Sequence, residues 1–420
     1  MAASGYLAQG DVLSVLHHAR SSGGTTRADL GRSLDLGRSA VTQRVGTLVD
    51  LGLLEEGESS THAVGRRPRE LRFRGEAGLV LVGNLGAKTF AAGIADLSGI
   101  LLAEEFEGPD VAAGPETVLA ALQQVWTAQL DKVGAARERL WGAGLGLPGP
   151  VEFATGRPIA PPIMPGWDAY PVREQLADAF GVPVWVDNEV NLETLGEATA
   201  GLGRAVDDML FVKMSIGIGS GILSRGRLHR GAQGAAGDIG HIAVVDDATM
   251  ICGCGNTGCL EAVAGGDALV RSAKARVGLE HSTVLKSLVE AGEEITVSIL
   301  HEANNKGDPL AMDVLVRAGR LVGETLSMLV NFYNPALLVI GGRLVHDSDL
   351  VLSTVRETIY GRSLPLATRD LVIGRSELSL VGGLVGAVTM VVDELLRPAR
   401  FEVWSHFGTP HGHPELASSS

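Results

Sequence analysis

The sequence predicts an α/β body of two similar halves preceded by a small helical head, and three observations predict it. The first 75 residues carry short helical patterns with ten Arg and no Lys. From Leu79 onward, Gly-rich apolar strands alternate with helices. One strand, glycine turn, strand pattern occurs twice, about 130 residues apart. At 420 residues, 45% apolar and 20% charged, the chain can form two or three domains and is too apolar for disorder throughout. The three Cys lie within eight residues of one another, which excludes a secreted disulfide scaffold. No uninterrupted apolar stretch reaches the roughly 18 residues of a transmembrane helix. The N-terminus has no charged start followed by an apolar run, so no signal peptide is expected and the expected address is the cytoplasm.

Charge divides the chain. The formal net charge is −14, yet residues 1–75 sum to +2 and leave −16 on the rest. Only the head is suited to approach a polyanion. Its pattern reads as three short helices and a hairpin. Val12, Leu13, Val15 and Leu16 give the first helix, from Asp11 to Ala19, an apolar face, and Gly23 and Gly24 end it. Thr26 is placed to cap a second helix through Leu30 and Leu34. After Leu36 and Gly37, a third helix turns Val41, Val45, Leu48 and Val49 inward, and Gly52 closes it before a strand at Leu53 and Leu54. Its other face carries Arg38, Ser39, Thr42, Gln43 and Arg44, side chains that reach base edges and phosphates in a major groove. The loop Gly65, Arg66, Arg67, Pro68, Arg69 and a strand Glu70–Arg74 complete a wing suited to a narrow minor groove. A three-helix protein-interaction module is the plainer alternative. Helix spacing, polar face and basic wing together favour a winged helix-turn-helix that binds double-stranded DNA.

In the body, Leu79–Val82 is a strand, Asn84–Thr89 a turn and Phe90–Asp96 the return strand. Met209–Lys213, Ser215–Gly221 and Ile222-Leu223 repeat the arrangement, which suggests a duplicated fold around a cleft, with glycines that let backbone N–H groups approach a phosphate. A further strand, Leu337–Ile340, ends in Gly341 and Gly342, where open α/β sheets commonly hold ligands. Val381–Leu396 reads as a helix packed on the first half, and 401–420 as a flexible tail. All three cysteines fall in Cys252, Cys254 and Cys259, with His241 eleven residues before the first. One imidazole and three thiolates suffice for a closed tetrahedral Zn²⁺ site that is structural, with no position left for an activated water. A disulfide would orphan the third thiol.

The segment Gly237-Asp238-Ile239-Gly240-His241 through Cys259-Leu260-Glu261, the stretch Gly144–Val151, Asp187–Asn191 and the glycine turns resemble the ROK family (repressors, open reading frames and kinases), in its sugar-responsive regulators with an N-terminal winged helix. The resemblance implies a two-lobed actin-like, hexokinase-like body whose cleft holds a sugar, and a homodimer or homotetramer. It implies domains at 1–75, 76–195 (completed by a helix at 380–397) and 196–379. Carried over by position, it places sugar contacts at Asn188, Glu189, Asp238, His241 and Glu261, side chains able to hold hydroxyls. His241 then serves both metal and sugar.

The departures bear on chemistry. The family's kinases use Asp as the base at position 189, where this chain has Glu189, and a misplaced base can cost about 10²-fold. The first glycine turn opens with Asn84 where those kinases have Asp, which removes a charge for Mg²⁺. Asp238 stands where Glu is usual, and Pro161–Trp167 lacks a sugar-binding Asn. ATP and Mg²⁺ are therefore not expected as cofactors. The expectation is a sugar-responsive repressor without efficient kinase activity, with an ATP-dependent sugar kinase carrying a regulatory head as the rival.

Overall fold

The computed structural model describes residues 12–58, 69–278, 282 and 284–418. The head consists of α1 (Val12–Ser22), β1 (Thr25–Thr26), α2 (Arg27–Ser33), α3 (Arg38–Asp50), β2 (Leu54–Glu58) and β3 (Arg69–Phe73). Thr26 caps α2 by accepting the Asp29 amide at 3.2 Å, and Gly52 closes α3 at φ +71°. Leu13, Leu16, Leu30, Val41, Val45 and Leu48 form its core. Val49, expected to point inward, is 36% exposed, because the inward stripe is already filled at three- and four-residue spacing. The three strands form an antiparallel sheet in the order β1, β3, β2. Arg66, Arg67 and the rest of the loop before Arg69 lie outside the described residues.

The first lobe contains β4 (Leu79–Leu85), β5 (Phe90–Asp96), β6 (Leu101–Glu105), α4 (Pro115–Lys132), β7 (Leu140–Leu147), the short strands β8 (Val151–Glu152) and β9 (Arg157–Pro158), α5 (Val172–Phe180), β10 (Val184–Asn188) and α6 (Glu189–Ala200). The second contains β11 (Met209–Met214), β12 (Ile218–Ser224), β13 (Arg227–Leu228), α7 (Leu260–Ala264), α8 (Gly266–Arg276), α9 (Val284–Glu290), α10 (Val297–Asn305), α11 (Pro309–Tyr333), β14 (Leu337–Gly341), α12 (Arg343–His346), α13 (Asp349–Arg362), α14 (Pro365–Thr368) and β15 (Val372–Arg375). The chain closes with α15 (Val381–Leu395) and α16 (Pro398–Ser405).

Duplication is visible in the topology. One sheet runs β10, β7, β4, β5, β6 and the other β15, β14, β11, β12, β13. In each, the first three of these strands are parallel and the last two return as antiparallel hairpins. This is the two-lobed, actin-like α/β arrangement. The glycine turns are tighter than their composition suggests. β4 runs through Asn84 to Leu85, and β12 starts at Ile218, so Gly219 and Gly221 are strand residues. Thr194 fills the space above Gly221, which explains a glycine inside a strand.

The C-terminal segment is not a frayed tail. α16 and a turn at Pro414–Ala417 pack on the first lobe, with Trp404 fully buried against Trp141 at 5.0 Å between ring centroids. Trp404 donates its indole N–H to Leu395 O at 2.8 Å, and Arg400 pairs with Glu394. The Gly, Pro and His residues that read as unstructured supply turns between buried anchors. The head joins the same core: Leu13, Val15 and Leu71 belong to one apolar cluster with Val80, Trp141 and Trp404. Arg20 on α1 reaches Asp393 on α15 at 2.8 Å. Trp404→Ala should therefore destabilise the folded chain by about 3–5 kcal/mol. Equilibrium urea unfolding checks this, and an unchanged midpoint would return the segment to a loosely held tail.

Candidate functional site

Two groups of polar side chains lie on either side of β12. The first surrounds the start of α6. Asn188 caps the helix by accepting the Val190 amide at 2.8 Å and donates to Gly149 O at 2.8 Å. Glu189 follows, 8% exposed, with Oε2 beside Gly86 of the first glycine turn. Lys213, at the end of β11, places its ammonium 2.7 Å from Glu189 Oε2 and 2.7 Å from Glu193 Oε1. Burial alone would lower the Lys213 pKa, but the two carboxylates outweigh it and hold the ammonium charged above its ordinary range. The Asn84 amide nitrogen donates to Glu193 Oε1 at 3.3 Å, and its carbonyl oxygen is buried without a partner among the described residues. A second ion pair ties the lobes: Arg230, after β13, donates to Asp187 Oδ2 at 2.7 Å, and Asp187 is only 1% exposed. Sequence reading missed Lys213, Glu193 and Arg230. The available signal was a Lys in an otherwise apolar strand of a chain whose basic residues are mostly Arg.

The second group is organised by the cysteine loop. His241 ends a short turn from Ile239, and Cys259 is the N-cap of α7. Gly258 makes the return possible. It sits at φ +71°, where a Cβ would lie 2.0 Å from Val245 O. One ring nitrogen of His241 and the sulfurs of Cys252, Cys254 and Cys259 all lie within 4.8 Å of one another, and the three thiols are unbridged. Cys252 Sγ is 3.5 Å from His241 Nδ1, and Cys254 Sγ is 3.8 Å from Cys259 Sγ. A tetrahedron with metal–sulfur bonds of about 2.3 Å and a metal–nitrogen bond of about 2.0–2.1 Å has S···N edges of about 3.5 Å and S···S edges of about 3.8 Å. The donor set therefore fits a four-coordinate metal ion. Without metal, burial pushes the Cys259 thiol up to about 12.

This cluster positions the carboxylates beside it. Glu261, in the first turn of α7, accepts the Ile218 amide at 3.1 Å, and burial raises its pKa. His241 Nε2 is 3.9 Å from Asp238 Oδ1. Asp238, His241 and Glu261 thus form one group and Asn188 with Glu189 another. β12 lies between them, with Val190 against Gly219 and Glu261 on Ile218.

On the head, Arg38, Ser39, Thr42 and Gln43 are exposed along α3. Arg44 is half-buried, and its Nη1 is enclosed without a partner among the described residues, which sets it apart from that face. Arg69 begins β3 and pairs with Glu56 at 3.2 Å.

The comparisons agree with this geometry. The xylose repressor of Caldicellulosiruptor bescii is 28% identical over 384 residues, covering 88% of this chain and 92% of its own. A crystal structure of a ROK family transcriptional regulator, a homologue of the E. coli Mlc protein, superposes with a TM-score of 0.75 at 25% identity, over 92% of this chain and 98% of that one. A ROK family glucokinase from Streptomyces griseus, solved with glucose and AMPPNP, matches with a TM-score of 0.64 at 29% identity, but over only 74% of this chain against 99% of its own. The repressor matches thus include the head, and the glucokinase match is the length of a body without one. The ROK family model itself spans residues 83–394. With that span and both lobes accounted for, the chain belongs to the ROK family.

Proposed function

We propose that this protein is a DNA-binding transcription regulator, a repressor, whose ROK body binds a sugar or sugar derivative without efficiently phosphorylating it. The observation that carries the reading is the state of Glu189. The carboxylate at the position of the kinase base is held by the Lys213 ammonium in a pocket shared with Glu193. A general base must be free to take a proton from the attacking hydroxyl, and Oε2 of this one is tied to an ammonium, which leaves Oε1 to accept a hydroxyl. Asn188, Glu189, Asp238, His241 and Glu261 remain as hydroxyl partners for a bound sugar. Relatives that match the chain from the head onward are named repressors, which supports the same reading. The glucokinases among its relatives keep a kinase as the rival.

In this mechanism, a homodimer presents two α3 helices to successive major grooves of a roughly palindromic operator. Arg38, Ser39, Thr42 and Gln43 read or clamp the duplex, with Arg66, Arg67 and Arg69 contributed by the wing. The sugar must bind one arrangement of lobes and heads better than the other, since a ligand of equal affinity for both switches nothing. The His241, Cys252, Cys254 and Cys259 donors suit zinc, and its role is to hold the Glu261 and Asp238 wall of the cleft in place.

Three experiments test these assignments. A panel of hexoses, pentoses and N-acetylated sugars, read for thermal shift and for coupled ATP turnover in the same plate, should give a shift for at least one sugar and turnover for none. Clear turnover would move the kinase reading to first place. In duplexes selected from random sequence by the full chain, Arg38→Ala should weaken binding by about 1–3 kcal/mol, and equal affinity would remove α3 from the interface. Cys254→Ser should lower bound zinc and the melting temperature. Because the thiols must lose protons to bind metal, wild-type zinc retention should weaken as pH falls. Full occupancy in the variant, by elemental analysis, would refute the site.

A further inference from the structure

The cleft that the preceding reading makes a sugar sensor includes the first glycine turn, where the resemblance to the kinases calls for a carboxylate that serves Mg²⁺, and the residues present do not fit that ion. A divalent cation here needs free oxygen donors of net negative charge. The two candidate carboxylates, Glu189 and Glu193, already share one ammonium at 2.7 Å each. Asn84, near the end of β4, donates its amide nitrogen to Glu193 Oε1, and its carbonyl oxygen, without a partner among the described residues, is neutral and supplies none of the negative charge that a divalent ion needs, while the ammonium repels a cation. Space is also taken. A Cβ on Gly86 would stand 2.7 Å from Glu189 Oε2, so this carboxylate fills the volume beside the first turn. Lys213 comes from β11, immediately before the second turn, so its stem delivers the charge between the two turns. Its side chain is 12% exposed, against 11% and 9% for its two partners. Lysine suits this position because its head is a compact point charge on a flexible stem, the feature that Arg lacks.

We propose that Lys213 is a tethered cation standing in for the divalent ion of a ROK kinase, so that the cleft takes its ligand with neither metal nor nucleotide. Three carboxylates around the ligand space, Glu189, Asp238 and Glu261, then match an uncharged or amino sugar and disfavour a phosphorylated one. The inference deepens the sensor reading, yet its main test needs no sugar. A failed sugar screen would therefore sink that reading and leave this outcome intact.

The test uses the zinc-loaded full chain and Mn²⁺ alone, with free Mn²⁺ followed by electron paramagnetic resonance. Zinc in its thiolate site resists displacement by Mn²⁺, which prefers oxygen donors. The wild type should take up no Mn²⁺ in the cleft. Lys213→Ala, which leaves Glu189 and Glu193 facing each other, should gain one Mn²⁺ site at least about tenfold tighter than anything in the wild type. Adding Glu193→Gln should abolish it. A folded, zinc-replete Lys213→Ala without new Mn²⁺ binding overturns the proposal. So does wild-type Mn²⁺ binding that Glu193→Gln removes. Should Lys213→Ala fail to fold, Lys213→Met keeps the stem and reads the same site. The wild type decides independently: stabilisation by ATP that requires Mg²⁺ overturns the proposal, and its absence in a protein that a sugar stabilises supports it.

Discussion

The crossing of α6 and α15 is the contact on which the rest of the molecule hangs. A Cβ on Gly386 would meet Leu192 O at 1.8 Å, and one on Gly196 would meet Gly382 O at 2.0 Å. The two helices therefore touch backbone to backbone, and no side chain larger than hydrogen fits at either point. α6 opens at Asn188 and Glu189 in the cleft. The last turn of α15 carries Asp393 and Glu394, which hold Arg20 of the head and Arg400 of the C-terminal segment. Such a contact has little room to slide, because packed interiors transmit displacement where loose ones absorb it. The contact joins the cleft end of α6 to the helix against which the head sits.

In the cleft, the charge arrangement is set by the chain's own residues. The Lys213 ammonium lies 2.7 Å from the Glu189 carboxylate. The Arg230 to Asp187 pair adds a second fixed tie between the lobes. Truncating one member of such a buried pair leaves an uncompensated charge, so both ties constrain what the cleft can exchange. The His241 and cysteine cluster, whose donors could hold a metal ion, lies across β12, where Cys259 starts α7 and Glu261 follows within its first turn.

What was legible in the sequence was local. Thr26, Gly52 and the spacing of Val41, Val45 and Leu48 announce the head because caps and helix faces depend on neighbours three or four residues away. The four candidate metal ligands lie between His241 and Cys259 and carry a chemistry few other patterns share. Lys213 escaped notice because its partners arrive from another element, and a buried lysine is legible only once both carboxylates are seen to face it. The C-terminal segment was misread for the same reason. Trp404 looks like a stray aromatic until Trp141, from far earlier in the chain, is brought against it. The glycine turns were drawn too wide, since glycine marks close approach inside a strand as well as a bend.

The distribution of indoles has a spectroscopic consequence. The chain has five Trp, and none lies between α6 and α15. Trp141, Trp185 and Trp404 share the apolar cluster under the head, while Trp126 and Trp167 sit in the opposite core of the first lobe. Tryptophan emission, excited selectively over tyrosine, thus comes from the first lobe and the seam and is blind to the second lobe. Any rearrangement that loosens the head should change the tryptophan emission of an unlabelled protein, and changes confined to the second lobe should leave it unchanged.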